Sequence, residues 1–417
     1  MSTTSRRQVL KSAGLLAGAA AAEIVCTSLA FAAGNRSSDN RLVFVILRGA
    51  LDGLNAVPPI GDPDYARLRG ALALGKPGSE GGALALDGTF GLHPALGFMA
   101  ECWRARELAV LHAVATPYRE RSHFDGQDVL ENGLVRAHQA DSGWLNRALA
   151  TLPRSANNPS AGKSAAGIAL GANIPLVMRG PSEVASWSPT RLASLDDDTL
   201  QRIADLYAQD PLLSRRLADA LMTDAVAADA NKGAGIDAAP AGARRYGADL
   251  DATMRAAAGF LVQPDGPRVA VLDGSGWDTH ANEGTDKGVL AIRLGLLDAA
   301  LRTLKTSLGP AWNKTAVLIA TEFGRTAAVN GTRGTDHGTG AAAFVVGGAV
   351  RGGRVIADWP SLAPGALYEG RDLRPTLDLR SVCKALLQDH LGAPAPAVAR
   401  EVFPDSSGAP ALRDLLV

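Results

Sequence analysis

The sequence predicts an α/β protein, a three-layer α/β/α sandwich built around a largely parallel sheet. Continuous apolar runs of strand length occur at residues 41–47, 108–113, 268–272 and 316–320, which is typical of strands buried on both faces of a parallel sheet. A long segment at about 286–307 has apolar residues at helical spacing. Strand, helix and strand in this order form a βαβ unit, which implies parallel strands and a right-handed crossover.

The remaining elements follow from shorter patterns. We expect strands at 167–170, 176–178 and 344–347, and a C-terminal helix at 378–391 with Gly392 as its cap. Other segments predict helices at 93–106, from Ser122 to about Glu131, and from 143 onward, the second with Ser122 and Asp125 as a capping box. Seven residues of the long 286–307 helix are expected to face the protein core: Val289, Ile292, Leu296, Leu297, Ala300, Leu301 and Leu304.

The chain organisation predicted is one domain over residues 33–417, with a helical insertion at about 195–265. Residues 58–91 and 152–164 are rich in turn formers and predict loops. No hydrophobic stretch in 33–417 reaches the length of a membrane span. Cys102 and Cys383 would be able to pair in an oxidising compartment, but the sequence does not show that they are close.

Composition limits the kind of partner. The 417 residues include 42 basic and 42 acidic side chains, so the formal net charge is zero. A balanced charge argues against nucleic acid as a partner, because nucleic-acid binding depends on a positive surface. No Gly-x-Gly-x-x-Gly joins a strand to a helix, so a dinucleotide-dependent oxidoreductase is not supported either.

Residues 1–32 resemble an export signal rather than part of the fold. Arg6 and Arg7 form a twin-arginine motif, an Ala/Gly-rich run follows at 13–22, and Ala-Phe-Ala at 30–32 fits a cleavage site. The alternative is a chance arginine pair on an N-terminal helix. Bulky Val25 before Cys26 argues against a lipoprotein signal. We therefore expect export to the periplasm or beyond, with the twin-arginine translocase as a partner.

Polar side chains that bind metals or carry catalysis gather where predicted strands end. They are Asp52, Ser122, His123, Asp278, His280, Glu322, Asp336 and His337. In an open α/β sheet, ligands bind beyond the carboxyl ends of the strands. Oxygen and imidazole donors without cysteine predict one or two divalent ions, and the pattern does not distinguish Zn²⁺, Mn²⁺, Mg²⁺ and Ca²⁺.

Six of these residues also have an ordinary structural interpretation. Asp52 precedes glycine and fits a turn, and Ser122 fits a helix N-cap. The Asp278–His280 pair fits the cap of the following helix, and Glu322 fits an ion pair with Arg325 at the sheet edge. His337 fits a hydrogen-bonded loop histidine. Their shared position at strand ends favours a joint site over these separate interpretations.

These motifs resemble a known family, the twin-arginine-exported group called domain of unknown function 1501, which is similar to the alkaline phosphatase and sulfatase superfamily. The motifs that carry the resemblance are RGALDGL at 48–54, RSHF at 121–124, WDTH at 277–280, TEFGRT at 321–326, GTDHG at 334–338 and the glycines at 347–348. The resemblance implies an exported metal-dependent hydrolase or transferase acting on small phosphate or sulfate esters. The alternative is a non-catalytic extracytoplasmic binding or assembly protein that retains the fold.

The resemblance also implies residue roles. Asp278, His280 and His337 would bind one ion, and Asp52 with Glu322 a second. Ser122 would be the nucleophile at a helix N-terminus.

One position departs from the superfamily pattern. Phe323 stands where the superfamily has a metal-binding histidine, so His123 or Asp336 is the candidate to complete the second site. His123 is otherwise a candidate to protonate the leaving group. Arg121 or Arg325 is a candidate to neutralise the ester oxygens.

Overall fold

The computed structural model describes residues 39–153, 166–188, 202–204, 206–207, 210–231, 241–263 and 266–417. The signal peptide predicted at 1–32 and most of the loop predicted at 152–164 lie outside these ranges.

The core of the molecule is a nine-stranded sheet in which one strand runs against the others. Its path is β10-β4-β9-β8-β1-β7-β5-β6, and β11 pairs with β4 beside β10. Within it, β9 is antiparallel to both β4 and β8, and the other pairings are parallel. A separate two-stranded sheet pairs β2 with β3. The strands are Arg41–Arg48 (β1), Leu84–Ala85 (β2), Gly91–Leu92 (β3), Leu108–Ala115 (β4), Gly167–Leu170 (β5), Ala185–Trp187 (β6), Val269–Ser275 (β7), Thr315–Thr321 (β8), Ala341–Val346 (β9), Arg354–Ile356 (β10) and Leu377–Asp378 (β11). The largely parallel sheet predicted is therefore confirmed.

The first strand lies at the centre of the sheet. Val43 of β1 is in register with Ala270 of β7 on one side and with Val317 of β8 on the other. The parallel direction predicted for the βαβ unit is confirmed, but β7 and β8 are not neighbours, since β1 lies between them. The polar loops after these strands consequently open at one edge of the sheet.

Helices cover both faces of the sheet. The α-helices are Gly53–Ala56 (α1), Tyr65–Arg69 (α2), Gly97–Arg104 (α3), His123–Asn132 (α4), Trp144–Thr151 (α5), Pro211–Ala230 (α6), Ala241–Leu261 (α7), Val289–Leu308 (α8), Leu379–Ala385 (α9) and Ala395–Ala397 (α10). Short 3₁₀ turns lie at Gly70–Leu72, Leu176–Met178 and Gly309–Lys314, and π-helical turns at Leu386–His390 and Val398–Val402 extend α9 and α10.

Alternate residues of β1 point to opposite faces, as the pleat of a strand requires. Val43 and Val45 pack in a cluster that includes residues of α3, α7 and α8. Leu42 and Phe44 pack in a second cluster with residues of α5 and α9. Two cores on either side of one sheet make the three-layer α/β/α arrangement that the sequence predicts.

Three local predictions differ from the structure in whole or in part. Residues 176–178 form a 3₁₀ turn rather than a strand, in which the peptide N–H of Met178 donates to the carbonyl oxygen of Pro175. Pro175 stands immediately before the turn, and its ring fixes its φ. The strand that pairs with β5 is instead β6.

The long helix differs in part from its predicted stripe. The difference is confined to the start of the helix, where Val289 and Ile292 are exposed and Leu290 and Leu294 are buried. Farther along, Leu297, Ala300, Leu301 and Leu304 are buried as predicted. The helix begins only at Val289, after Gly288 with φ 119°, so its first turn takes its orientation from the preceding loop rather than from the apolar pattern.

The third difference concerns the capping box expected at Ser122. Ser122 does occupy the N-cap position of α4 with extended backbone angles, but its side chain makes no cap hydrogen bond. Its backbone N–H donates to the Tyr118 hydroxyl at 3.0 Å instead.

Two long helices, α6 and α7, fall in the segment predicted as a helical insertion, and α7 packs on α8 and β7. The division into one domain with an insertion stays a prediction. Cys102 and Cys383 are free and lie in the two different cores, on opposite faces of the sheet. Among the residues described, no helix combines the length and apolar character needed to cross a membrane.

Candidate metal centre

Five chain segments meet at one edge of the sheet. They are the segments that follow β1, β4, β7 and β8, and the segment that precedes β9. Parallel strands end at the same edge, and the antiparallel β9 begins there. This topology gathers residues that are more than 200 positions apart in the sequence.

Three imidazoles and one carboxylate converge in this space. The Nε2 atom of His280 lies 2.9 Å from Nε2 of His337 and 3.1 Å from Oδ1 of Asp278. The Nε2 atom of His337 lies 3.3 Å from the same Asp278 oxygen, and Nε2 of His123 lies 3.4 Å from its other oxygen. Ligand atoms of His123, Asp278 and His337 all lie within 4.8 Å of one another. Four donors of this kind are suited to a single divalent ion.

In each ring the other nitrogen is already held by an acceptor. The Nδ1 atom of His123 lies 2.8 Å from Oε1 of Glu322, and Nδ1 of His280 lies 3.3 Å from Oδ1 of Asp336. The Nδ1 atom of His337 lies 2.9 Å from the carbonyl oxygen of Arg121. Because each acceptor requires a proton on Nδ1, the Nε2 atom of a neutral ring carries the lone pair. An acceptor behind each ring is the usual outer arrangement of metal-binding histidines.

The Nε2 atom of His123 supports this interpretation independently. It is buried and has no hydrogen-bond partner, although its lone pair faces the Asp278 carboxylate. A buried polar atom without a partner costs about 1–3 kcal/mol. The donors present therefore fit a divalent ion, which would satisfy this atom.

The charge of the cluster favours a cation. Burial opposes the ionisation of Asp278, but the Arg325 guanidinium and the nearby His280 and His123 outweigh it and lower the pKa of the carboxyl. A hydrogen bond from Asn330 is the largest influence on Asp336, and its pKa is lowered as well. Both carboxylates are therefore ionised near neutral pH.

The pKa values of His123 and His337 are shifted in opposite directions. The hydrogen bond to Glu322 raises the pKa of His123, more than burial lowers it. Burial, followed by the nearby His123, lowers the pKa of His337. Burial thus favours the neutral, cation-binding form of His337, whereas the Glu322 hydrogen bond favours the protonated form of His123.

Glu322 supports His123 rather than facing the open site. Its side chain is buried, and Oε1 accepts hydrogen bonds from His123, from Gln127 at 3.1 Å and from the Gly49 N–H at 2.8 Å. Gly49 has φ 118°, and a Cβ there would lie 2.6 Å from the backbone nitrogen of Asp278, so glycine is required for this approach. Burial opposes ionisation of Glu322, but these bonds together lower its pKa.

Phe323 forms one wall of the site. Its ring stacks on His123 with centroids 5.0 Å apart and lies 5.3 Å from the ring of His337. The imidazole that the resemblance leads one to expect at this position is therefore replaced by an apolar surface, and His123 supplies a nitrogen from the neighbouring helix α4.

The structure does not bring Asp52 into the cluster. Its carboxylate caps α1 by accepting from the Leu54 N–H at 3.0 Å and forms a buried ion pair with Arg69. Asp52 and Glu322, expected together at a second ion, contact different partners. The second metal site predicted from the resemblance thus has no assembled ligand set among the residues described.

Arg325 is fully buried rather than turned toward a substrate. Its guanidinium donates to the carbonyl oxygens of Gly49, Ala50, Trp277 and Thr335 and to Asp278. It joins the segments after β1 and β7 to the segment before β9. Arg325 therefore fixes the positions of these segments, whereas the sequence predicts that it binds ester oxygens.

The other predicted residues lie at the rim. Asp336 is exposed and contacts His280 and Asn330 rather than the centre of the cluster. Ser122 precedes His123 at the start of α4, beside Tyr118. Arg121 pairs with Asp372 and Glu369 and has φ 64°, a conformation that turns its carbonyl toward His337.

The sequence did not predict the buried polar residues that lie beneath the cluster. Arg69 and Glu283 are fully buried, and Thr279 and Thr335 bond to Glu283. Arg69 lies in a stretch predicted only as loop, and nothing in its sequence neighbourhood signals a role. Glu283 lies three residues after His280, which is the one sequence signal that would have pointed to it.

Comparison with known proteins gives one family and weak likenesses to solved structures, two of which are described here. The family model described as "Protein of unknown function (DUF1501)" matches residues 103–398, more than half of the chain. A search of curated proteins gives no match. A solved structure of Ps i-CgsB in complex with k-i-k-neocarrahexaose is 8% identical, with TM-score 0.37, and the match covers 90% of this chain and 77% of that one.

The second structure is the phosphonate monoester hydrolase of Agrobacterium radiobacter, which is 12% identical, with TM-score 0.38, over 84% of this chain and 74% of that one. TM-scores this low do not establish a shared fold, so neither likeness bears on what the chain does.

Proposed function

Because the chain belongs to the DUF1501 family of proteins of unknown function, its chemistry has to be inferred from its own site, and we propose that it is a metal-dependent hydrolase or transferase acting on phosphate or sulfate esters. The substrate would be a small molecule, reached at the open edge of the sheet. A single ion would be held by His123, Asp278 and His337, with His280 beside them.

The observation that carries this proposal is the common orientation of the three rings. Each Nδ1 is held by an acceptor, and each Nε2 faces Asp278. When both Nδ1 atoms carry the ring proton, the Nε2 atoms of His280 and His337, 2.9 Å apart, are both free to bind a cation. Two imidazole nitrogens and one carboxylate, with a fourth position left open, suit Zn²⁺ best and Mn²⁺ next.

When bound, a divalent ion would supply Lewis acidity toward an ester oxygen and lower the pKa of a hydroxyl or water. The chain provides the surroundings. Asp278 is kept ionised by Arg325, and Glu322 fixes the ring of His123. Phe323 excludes water from one side of the rings.

Ser122 is the proposed nucleophile. It stands at the N-terminus of the ten-residue helix α4, where the helix dipole favours an oxyanion. His123 is assigned as a ligand rather than as a general acid, since its Nδ1 is held by Glu322 and its Nε2 faces the cluster.

A second candidate function is a non-catalytic extracytoplasmic binding or assembly protein with a structural ion. The observation that favours it is the fourth donor. If His280 binds together with His123, Asp278 and His337, a tetrahedral ion has no open position, as in structural zinc sites.

The test is hydrolysis of generic phosphate and sulfate esters by the purified protein in Zn²⁺, Mn²⁺ or Mg²⁺. We expect turnover that requires the ion and falls by at least about a hundredfold in Ser122→Ala and in Asp278→Asn. Turnover that is unchanged in both variants would contradict the proposal. Stoichiometric metal without turnover on either ester class would support the structural-ion candidate.

Export by the twin-arginine route is proposed on the sequence of residues 1–32 alone. We expect the full chain to reach the periplasm or medium and Arg6→Lys/Arg7→Lys to retain it in the cytoplasm, measured by cell fractionation. Equal export of both proteins would contradict this part of the proposal.

A further inference from the structure

A buried polar network lies directly behind the two loops that carry Asp278, His280 and His337. Oε2 of Glu283 accepts hydrogen bonds from the hydroxyl of Thr279 at 2.9 Å and from the hydroxyl of Thr335 at 3.0 Å. Thr279 lies between Asp278 and His280, and Thr335 lies two residues before His337. One carboxyl oxygen therefore connects the two loops.

The rest of the network anchors this carboxyl to the first strand. Oε1 of Glu283 accepts from Nδ2 of Asn55 at 3.2 Å and lies 3.9 Å from Arg69, which also pairs with Asp52. Burial is the main cause that raises the pKa of Glu283, to about 8. The side chains of Asp52, Arg69 and Glu283 are all fully buried. The network thus has no access to substrate and acts on the site only through the loops.

The network joins the two loops whose histidines face each other. The Nε2 atoms of His280 and His337 come from the two loops that Glu283 joins, and they lie 2.9 Å apart. The backbone N–H of Thr335 also donates to the Thr279 carbonyl at 3.2 Å, so the hydroxyl bonds reinforce a direct contact between the loops. Loss of both hydroxyls would leave that backbone contact as the remaining direct link between Thr279 and Thr335.

We propose that Glu283 is a positioning residue of the metal centre, which sets the spacing of His280 and His337 by clamping Thr279 and Thr335. This inference rests on the proposed metal centre. It assigns a function to Asp52 as well, as part of the buried support for Arg69 and Glu283 rather than as a ligand.

The experiment is titration of the metal-free full chain with Co²⁺, followed by the visible absorption spectrum, which reports the coordination geometry. The test protein is Thr279→Val/Thr335→Val, which keeps the shape of both side chains and removes both hydroxyls. The matched control is Thr315→Val, a buried threonine at the start of β8 whose hydroxyl bonds to the Ala311 carbonyl.

We expect the double variant to bind Co²⁺ about 10–100-fold more weakly, with an altered spectrum, as outer-shell losses do at metal sites. Glu283→Gln, which keeps an acceptor oxygen, should retain the wild-type spectrum, and Glu283→Leu should lose it. Thr315→Val should match the wild type. If the double variant fails to fold, Thr279→Val alone is expected to show the same spectral change at smaller amplitude.

Two results would overturn the inference, and they differ. Equal affinity and an identical spectrum for wild type, double variant and Glu283→Leu would overturn the clamp while leaving the metal centre intact. A wild-type chain that takes up no Co²⁺ would overturn the proposed function, and the clamp with it.

Discussion

In each imidazole ring of the cluster, Nδ1 lies within hydrogen-bond distance of an acceptor behind the ring. The Glu322 carboxylate does this for His123, and it does so from a buried position with three other hydrogen bonds. A carboxylate held in this way fixes both the tautomer and the direction of the ring. The chemistry of the site therefore depends on Glu322 as strongly as on atoms that would touch an ion.

Glu322→Gln tests this dependence. The amide removes the charge that raises the pKa of His123, so we expect the pKa of His123 in the metal-free protein to fall, as read from imidazole NMR signals during titration. Metal affinity at pH 8 should also weaken, by about 10–100-fold. Both changes are needed, since a weaker affinity with an unchanged His123 pKa would mean that Glu322 acts through something other than this ring.

The helix that carries His123 is positioned by close packing. Gly126 of α4 faces the Phe323 ring, and a Cβ at this position would lie 2.8 Å from Cδ1 of Phe323. The aromatic ring in turn lies against His123. Helix α4, Phe323 and the His123 ring therefore pack as one unit.

Gly126→Ala should destabilise the protein. Alanine in place of a helical glycine gains up to about 1 kcal/mol, but the overpacking against a buried ring costs about 1–3 kcal/mol, so the clash outweighs the helical gain. Thermal or urea unfolding measures the balance. Gly295→Ala, in α8 with only Ala95 Cβ nearby at 3.9 Å, is the matched control and should stabilise. An equal gain in both variants would show that the Phe323 ring yields easily.

At this scale, buried strands were predictable and details set by packing were not. Apolar runs predicted β1, β4, β7 and β8, because continuous burial leaves a continuous pattern. The orientation of the first turn of α8 is set by the preceding loop, and the helix carries apolar residues on more than one side. The strand ends of the site were predictable for the same reason as the strands, while the burial of Arg325 and the partner of Asp52 depend on long-range contacts that no local pattern encodes.

The stability of the whole molecule should depend on pH through two buried histidines far from the cluster. Burial lowers the pKa of His112 to about 4, and its Nδ1 accepts the Ala113 N–H, which leaves no place for a second proton. Burial also lowers the pKa of His390 to about 4. In the unfolded chain both would titrate near the ordinary value of about 6.5.

The sign follows from proton binding. Between about pH 6.5 and 4 the unfolded chain binds protons that the folded chain rejects, so folding stability falls as pH falls through this range. The expected loss is about 3 kcal/mol for each histidine between neutral pH and pH 4. Urea denaturation of metal-free protein across this range measures it, and His390→Gln should make the slope shallower. A slope that is the same in His390→Gln would contradict the assignment for that residue.

The central claim for the whole molecule is that five segments from one sheet edge build a single divalent-metal site. It is tested most directly by the metal content of purified folded protein, determined by elemental analysis for wild type and for Asp278→Asn. We predict about one divalent ion per wild-type chain and a content well below that in the variant, because Asp278 is the donor that all three rings face. A wild-type chain that carries no ion and whose melting temperature does not rise when Zn²⁺ or Mn²⁺ is added, or an Asp278→Asn chain with the full wild-type content, would contradict the claim.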